Sequence, residues 1–291
     1  MRKAQVFILL GQSNAVGHDL PMQEEDKIHI PLKNVFGLSR EKNQSFGINM
    51  LSWDGYISSG MNLGETQDDT YSLANCLAAQ WQNRINQGED LSDLYIVQIA
   101  IGGQGVTKKY MWYPQKEQIL VPGTLWETNI SLFQFAKHIL SLLPKSFDNL
   151  GIEYEILGLH WRGGEEEINV PIEELDGCLM NIYQEMFTNF WDALECKPET
   201  VLHQLVLEER AKLEPTGNVQ KSMDYVNTVF QRLSREYNNV NIFDTRSYPL
   251  YNCEVKGYGL FKEDLTHYTR EVNEWLANNI IEKCKNEATG E

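Results

Sequence analysis

The sequence predicts an α/β protein, a mostly parallel sheet with helices on both faces in three αβα layers. Three observations carry this reading. Short apolar runs alternate with longer amphipathic segments, the pattern of repeated strand–helix–strand units. The chain's 291 residues are 42% hydrophobic, with 7 Trp, 13 Tyr and 11 Phe, enough for one large core. The residues best suited to chemistry lie near opposite termini, so a single domain spanning 1–291 is expected to bring them together.

The elements follow from local pattern. Strand-like runs fall at residues 5–10, 94–101, 155–161, 200–207 and 240–243. Between Trp126 and Leu143, apolar residues recur at Ile130, Phe133, Ala136, Leu140 and Leu143, which makes one helical stripe. The last helix places Val272, Leu276 and Ile280 on one face, and Cys284 extends it. Further helices are expected at about 71–86, 171–194 and 218–237. Right-handed crossovers then gather the strand ends into one crevice. Two long loop-rich stretches, 19–69 and 102–123, follow strand ends and so should border that crevice. They carry Trp53, Tyr56, Tyr110, Trp112 and Tyr113, rings that suit sugar faces or ordinary loop packing.

A net charge of −16 argues against nucleic acid or an anionic membrane surface as partner, though a local Arg or Lys can still hold an anionic sugar. The five cysteines, Cys76, Cys178, Cys196, Cys253 and Cys284, show no paired close spacing, which suits a reducing compartment. Arg2 and Lys3 precede an apolar run too short for a signal-peptide core, and no stretch reaches membrane-spanning length. The expectation is a cytoplasmic protein; secretion would require a leader beyond this sequence.

Four segments offer chemistry. Gly11-Gln12-Ser13-Asn14 follows the first strand, where open α/β sheets place their sites. A serine there is most often a turn residue or helix cap, and becomes a nucleophile only if a base reaches it. Asp264-Leu-Thr-His267 offers that base: a carboxylate three residues upstream can hold Nδ1–H and leave the other nitrogen free. Gly102-Gly103, after a middle strand, lets backbone N–H groups approach a substrate as an oxyanion hole requires. The fourth segment is His160-Trp161-Arg162-Gly163-Gly164-Glu165, at another strand end. The six histidines show no metal-ligand spacing.

Together these four segments resemble the SGNH-hydrolase superfamily, with its sialate O-acetylesterase and carbohydrate esterase branch, including acetylxylan esterases, as the nearest match. The resemblance runs from Gly11 to His267. It implies a flavodoxin-like three-layer fold and removal of acetyl groups from sugars, without metal or other cofactor. It further implies Ser13 as nucleophile, His267 as general base and Asp264 as its orienting acid. Backbone N–H groups of Ser13 and of Gly102 or Gly103 would be the oxyanion donors, and Gln12, Asn14, Gln104, Arg162 and Glu165 would support or bind substrate.

One departure stands out. Where the family carries Trp-Tyr-Gln-Gly-Glu, this chain has Trp161-Arg162-Gly163-Gly164-Glu165, so the glutamine that assists the oxyanion is a glycine. Losing such a donor costs about 3–4 kcal/mol of transition-state stabilisation. Arg162, Gln12 or Gln104 could replace it. Arg162 could instead pair with a substrate carboxylate, favouring sialic acid over neutral xylan, or with Glu165, Glu166 or Glu167. The expected activity is therefore carbohydrate O-acetylesterase, acting on an acetylated glycan. The alternatives are a catalytically weakened glycan-binding protein and an esterase of lipid acyl chains.

Overall fold

The computed structural model describes residues 3–44, 47–65, 68–114 and 131–289. Seven strands form one sheet: β1 (Ala4–Gly11), β2 (Val35–Leu38), β3 (Trp53–Gly55), β4 (Leu94–Ala100), β5 (Tyr154–Arg162), β6 (Thr200–His203) and β7 (Val240–Phe243). Their order is β3-β2-β4-β1-β5-β6-β7, and every pairing is parallel except β2 with β3. Strand β1 is buried along its whole length, which explains why it reads as unbroken apolar sequence. Its neighbours β4 and β5 lie on opposite sides of it, so the chain changes direction across the sheet at β1. Gly11 stands level with Ala100 and Arg162, and three strand ends therefore open onto one crevice.

The helices are α1 (Ser13–Val16), α2 (Arg40–Asn43), α3 (Leu73–Asn86), α4 (Leu132–Leu150), α5 (Ile172–Leu175), α6 (Leu179–Leu194), α7 (Glu208–Ala211), α8 (Asn218–Glu236) and α9 (Arg270–Thr289). Two groups flank the sheet, with α3 packed on α9, and α6 packed on both α4 and α8. Ser72 and Ser131 start α3 and α4 by accepting the N–H groups of Asn75 and Gln134.

Several elements differ from the sequence expectation. The stretch 19–69 is not simply loop, because it contains the short strands β2 and β3, which pair as an antiparallel edge. The helix expected over 171–194 is split into α5 and α6: Gly177 adopts φ 76° and breaks the ladder between them. The strand expected over 200–207 ends at His203, after which the side chain of Asn227 satisfies both Leu205 N–H and C=O at 2.9 Å. The start of the helix expected over 126–143, and residues 115–123 of the second loop stretch, lie outside the described residues. All five cysteines are free, and no described helix is long and apolar enough to cross a membrane.

Candidate active site

The site begins with a close approach of two strands. Gly11 has φ 147°, and a Cβ there would lie 2.0 Å from the carbonyl oxygen of Arg162. Only glycine fits. Beyond it, Gln12 N–H donates to that same carbonyl at 2.9 Å, and the chain turns directly into α1 with Ser13 as its first residue. The Trp112 indole N–H donates to Gly11 C=O at 3.0 Å, so the turn is held from below by a fully buried ring.

Two carboxamides flank the serine, and one buried carboxylate holds both. Glu165 accepts Gln12 Nε2 and Asn14 Nδ2, each at 2.6 Å. Asn14 also reaches the far end of the sequence: Nδ2 donates to Thr266 C=O at 3.1 Å, and Oδ1 accepts Tyr268 N–H at 3.1 Å. These two bonds bracket His267. The short polar residue after the serine thus docks the histidine segment against the serine turn.

Within that segment, Asp264 Oδ2 lies 2.7 Å from His267 Nδ1, while Oδ1 accepts the N–H groups of Thr266 at 2.8 Å and His267 at 2.9 Å. Burial raises the Asp264 pKa, but these bonds and the imidazole outweigh it and hold the carboxyl below its ordinary value. Leu265 takes φ 60° to make the turn. Asp19 Oδ2 also faces His267 Nδ1, at 3.3 Å. Asp19, Asp264 and His267 are, among the described residues, the one group of three ligand-type side chains whose atoms lie within 4.8 Å of each other, and within it the short bond joins His267 Nδ1 to Asp264 Oδ2.

A cavity of about 450 Å³ is lined by Gln12, Ser13, His18, Gly103, Glu165, Glu166, Arg210, Asp264, Thr266 and His267. It unites the serine and histidine segments, Gly103 and Glu165. It also admits two basic side chains, Arg210 and His18, absent from the sequence candidates. Arg210, on α7, donates to Thr266 Oγ1 at 3.0 Å and Asn169 Oδ1 at 3.3 Å. His18 lies with Nε2 at 3.1 and 3.2 Å from the two oxygens of Glu65. The bond to Glu65 is the main cause that raises the His18 pKa, against burial and with help from the charges of Glu65 and Asp19.

Other candidates fall elsewhere. Gly102 N–H is committed to Glu65 at 2.9 Å, which leaves Gly103 as the glycine on the cavity wall. Arg162 is 1% exposed and lines no part of the cavity; Nη1 donates to Asn273 Oδ1 at 2.9 Å and the guanidinium lies 4.7 Å from the Tyr268 ring centroid. It makes no ion pair with Glu165, Glu166 or Glu167 among the described residues, so the expected substrate or acidic partner for it is corrected to an internal brace. A Cβ on Gly163 would lie 2.8 Å from the Trp161 ring, so the indole occupies the space that a glutamine would need. Gln12 Nε2 is spent on Glu165, and Gln104 accepts Met111 N–H at 3.1 Å and braces its own loop. Of the loop aromatics, Tyr56 and Trp112 are core residues, Trp53 packs against Tyr95 and Phe147, and Tyr110 donates to Glu166 at 3.0 Å; neither these nor Tyr113 line the cavity with Ser13.

No family model matches the sequence. No curated protein matches it either. Solved structures do match. An Arabidopsis thaliana protein is 18% identical with a TM-score of 0.56, the match covering 97% of this chain and 98% of that one. The protein NanS is 15% identical with a TM-score of 0.59, covering 98% of both chains. A carbohydrate acetylesterase from Xanthomonas citri is 11% identical with a TM-score of 0.46, covering 99% of this chain and 57% of that one. The first two likenesses establish the fold, a mixed α/β architecture with a mostly parallel central sheet flanked by helices.

Proposed function

We propose that this chain is a serine esterase that releases acetate from O-acetylated sugars. The reading rests above all on one observation: Ser13 and His267 face the same cavity, and Asp264 lies 2.7 Å from His267 Nδ1. That bond directs Nδ1–H to the carboxylate and leaves Nε2 as the free nitrogen. Nε2 would accept the Ser13 hydroxyl proton as Oγ attacks the acetyl carbonyl. The N–H groups of Ser13 and Gly103 would receive the oxyanion. His267 would then return its proton to the leaving sugar oxygen, and a water, activated in the same way, would release acetate and free Ser13. The polar cavity wall, with Gln12, Glu165, Glu166 and Arg210, suits a hydroxylated substrate better than a lipid chain.

Ser13→Ala is expected to abolish acetate release from p-nitrophenyl acetate and from acetylated sugars while leaving the circular dichroism spectrum unchanged. Wild-type turnover in that variant would remove the nucleophile assignment. Glycan binding without acetate release from the wild type would favour a binding protein, and preference for octanoate over acetate esters would favour an acyl-chain esterase.

A further inference from the structure

The cavity holds a second imidazole–carboxylate pair that the mechanism above does not use. His18 follows Ser13 by little more than one turn, and its N–H donates to Ser13 C=O at 3.0 Å. Its ring packs on the glycine turn: a Cβ on Gly102 would lie 2.5 Å from Nε2. The ring also stacks on His267, with centroids 6.1 Å apart at 26°. Glu65 sits behind both groups and accepts Nε2 of His18 and N–H of Gly102. The remaining ring nitrogen, Nδ1, has no hydrogen-bond partner among the described residues, and His18 lines the cavity.

We propose that His18 is a further catalytic residue, a side-chain donor whose Nδ1–H binds the oxyanion formed when Ser13 attacks the ester. This rests on the esterase reading above. The chemistry dictates the protonation state. With Nε2–H pointed at Glu65, a neutral ring would present Nδ1 as an acceptor, which repels an oxyanion; only the imidazolium donates from both nitrogens. Glu65, 3.1 Å from Nε2, is the counter-charge for that form, and both Glu65 and Asp19 act to raise the His18 pKa. The role also fits a local shortage, since Gly102 N–H is already spent and position 163 carries no side chain. A cationic donor in a partly desolvated cavity then supplies what a neutral carboxamide would otherwise give.

The charged and titratable groups facing His18 are Glu65, Asp19 and His267, with Glu165, Glu166, Asp264 and Arg210 across the cavity. Deprotonating His18 removes the donor, so kcat/KM should fall on the alkaline side. The experiment is a pH profile of p-nitrophenyl acetate hydrolysis for wild type, S13A, H18A, H18Q and E65Q, with burst-phase acylation rates. His18→Ala should lower the acylation rate about 10²–10³-fold with a much smaller change in KM, and the alkaline fall should vanish. His18→Gln should recover part of the rate, also without that fall. Glu65→Gln still accepts the Gly102 N–H but lacks the charge, so its alkaline fall should move to lower pH.

A merely structural pair would leave the alkaline limb in place in all three variants, and that result overturns the proposal. So does a Ser13-dependent wild type whose acylation rate is unchanged by His18→Ala. Should H18A fail to fold, H18Q and E65Q still report the limb. Activity that survives Ser13→Ala would instead remove the esterase reading, and this proposal with it.

Discussion

Two pairs of histidines occupy two regions of the molecule and meet opposite conditions. At the rim of the crevice, His267 and His18 each face a carboxylate, Asp264 at 2.7 Å and Glu65 at 3.1 Å. Between β5 and β6, His160 and His203 face each other, Nδ1 to Nε2 at 3.3 Å, with no carboxylate bonded to either ring among the described residues. Burial drives the His160 pKa down to about 3 and that of His203 well below its ordinary value, with the positive charge of Arg162 pushing the same way in both. The buried pair is neutral packing, with His160 tilted against Phe7 and His203 against Phe243. The difference teaches that a histidine's use here depends on whether the fold supplies a carboxylate.

The sharpest test of the rim pair is its acid. Asp264→Asn would present an amide to Nδ1, favour the wrong tautomer and lower kcat by about 10³–10⁴. Asp19→Asn should cost far less, about 0.5 kcal/mol or roughly twofold, because its carboxylate is exposed and 3.3 Å from Nδ1. Steady-state kinetics on an acetyl ester compares them directly. Equal losses in the two variants would make Asp19 a full partner and break the assignment of a single orienting acid.

The buried pair is tested through stability. In the folded protein both rings stay neutral, while in the unfolded chain they take up protons once pH falls below about 6.5. The folded pKa values are depressed, so stability is intact above that pH and is lost as pH drops. The loss is up to about 1.4 kcal/mol per pH unit for each ring, or about 3 for the pair. Urea unfolding between pH 6.5 and 5 should show this slope, and the His160→Leu/His203→Leu variant should flatten it. An unchanged slope in the double variant would mean that other groups carry the acid sensitivity.

What the sequence could reveal of this contrast was the local half. Gly-Gln-Ser-Asn at a strand end and Asp264-x-x-His267 within one turn are short-range patterns, and the structure brings them into one cavity. The parallel sheet was legible because buried strands read as apolar runs between helical stripes. Strands β2 and β3 were not, since four and three residues give too little pattern to separate them from loop. The partners of the site were hidden for a different reason. Asn14 meets Thr266 and Tyr268 across 252 and 254 residues, and Glu65 meets His18 across 47; such contacts depend on strand order rather than spacing. Arg162 misled because proximity to Glu165 in sequence says nothing about where a strand's last side chain points. Here it points to Asn273 on α9.

Two glutamates brace the same loop under different conditions. Glu65 accepts Gly102 N–H, and Glu167 accepts Val106 N–H at 2.7 Å. Glu65 has His18 beside it: burial raises its pKa, but the His18 bond, the Gly102 N–H and the imidazole charge together bring it below the ordinary value. Glu167 is fully buried, has no ion pair and no partner for its Oε2 among the described residues, and burial lifts its pKa to about 7. The raised folded pKa sets the sign. Between about pH 4.5 and 7 the unfolded chain releases this proton and the folded one keeps it, so stability falls as pH rises through that window, by roughly 3 kcal/mol in all. Glu167→Gln can still accept Val106 N–H through Oε1 but cannot ionise. Its stability relative to wild type should therefore be greater at pH 8 than at pH 4.5, measured by chemical denaturation at both. A difference that is the same at both values would show that Glu167 ionises within the fold at ordinary pH, and that burial alone does not separate the two glutamates.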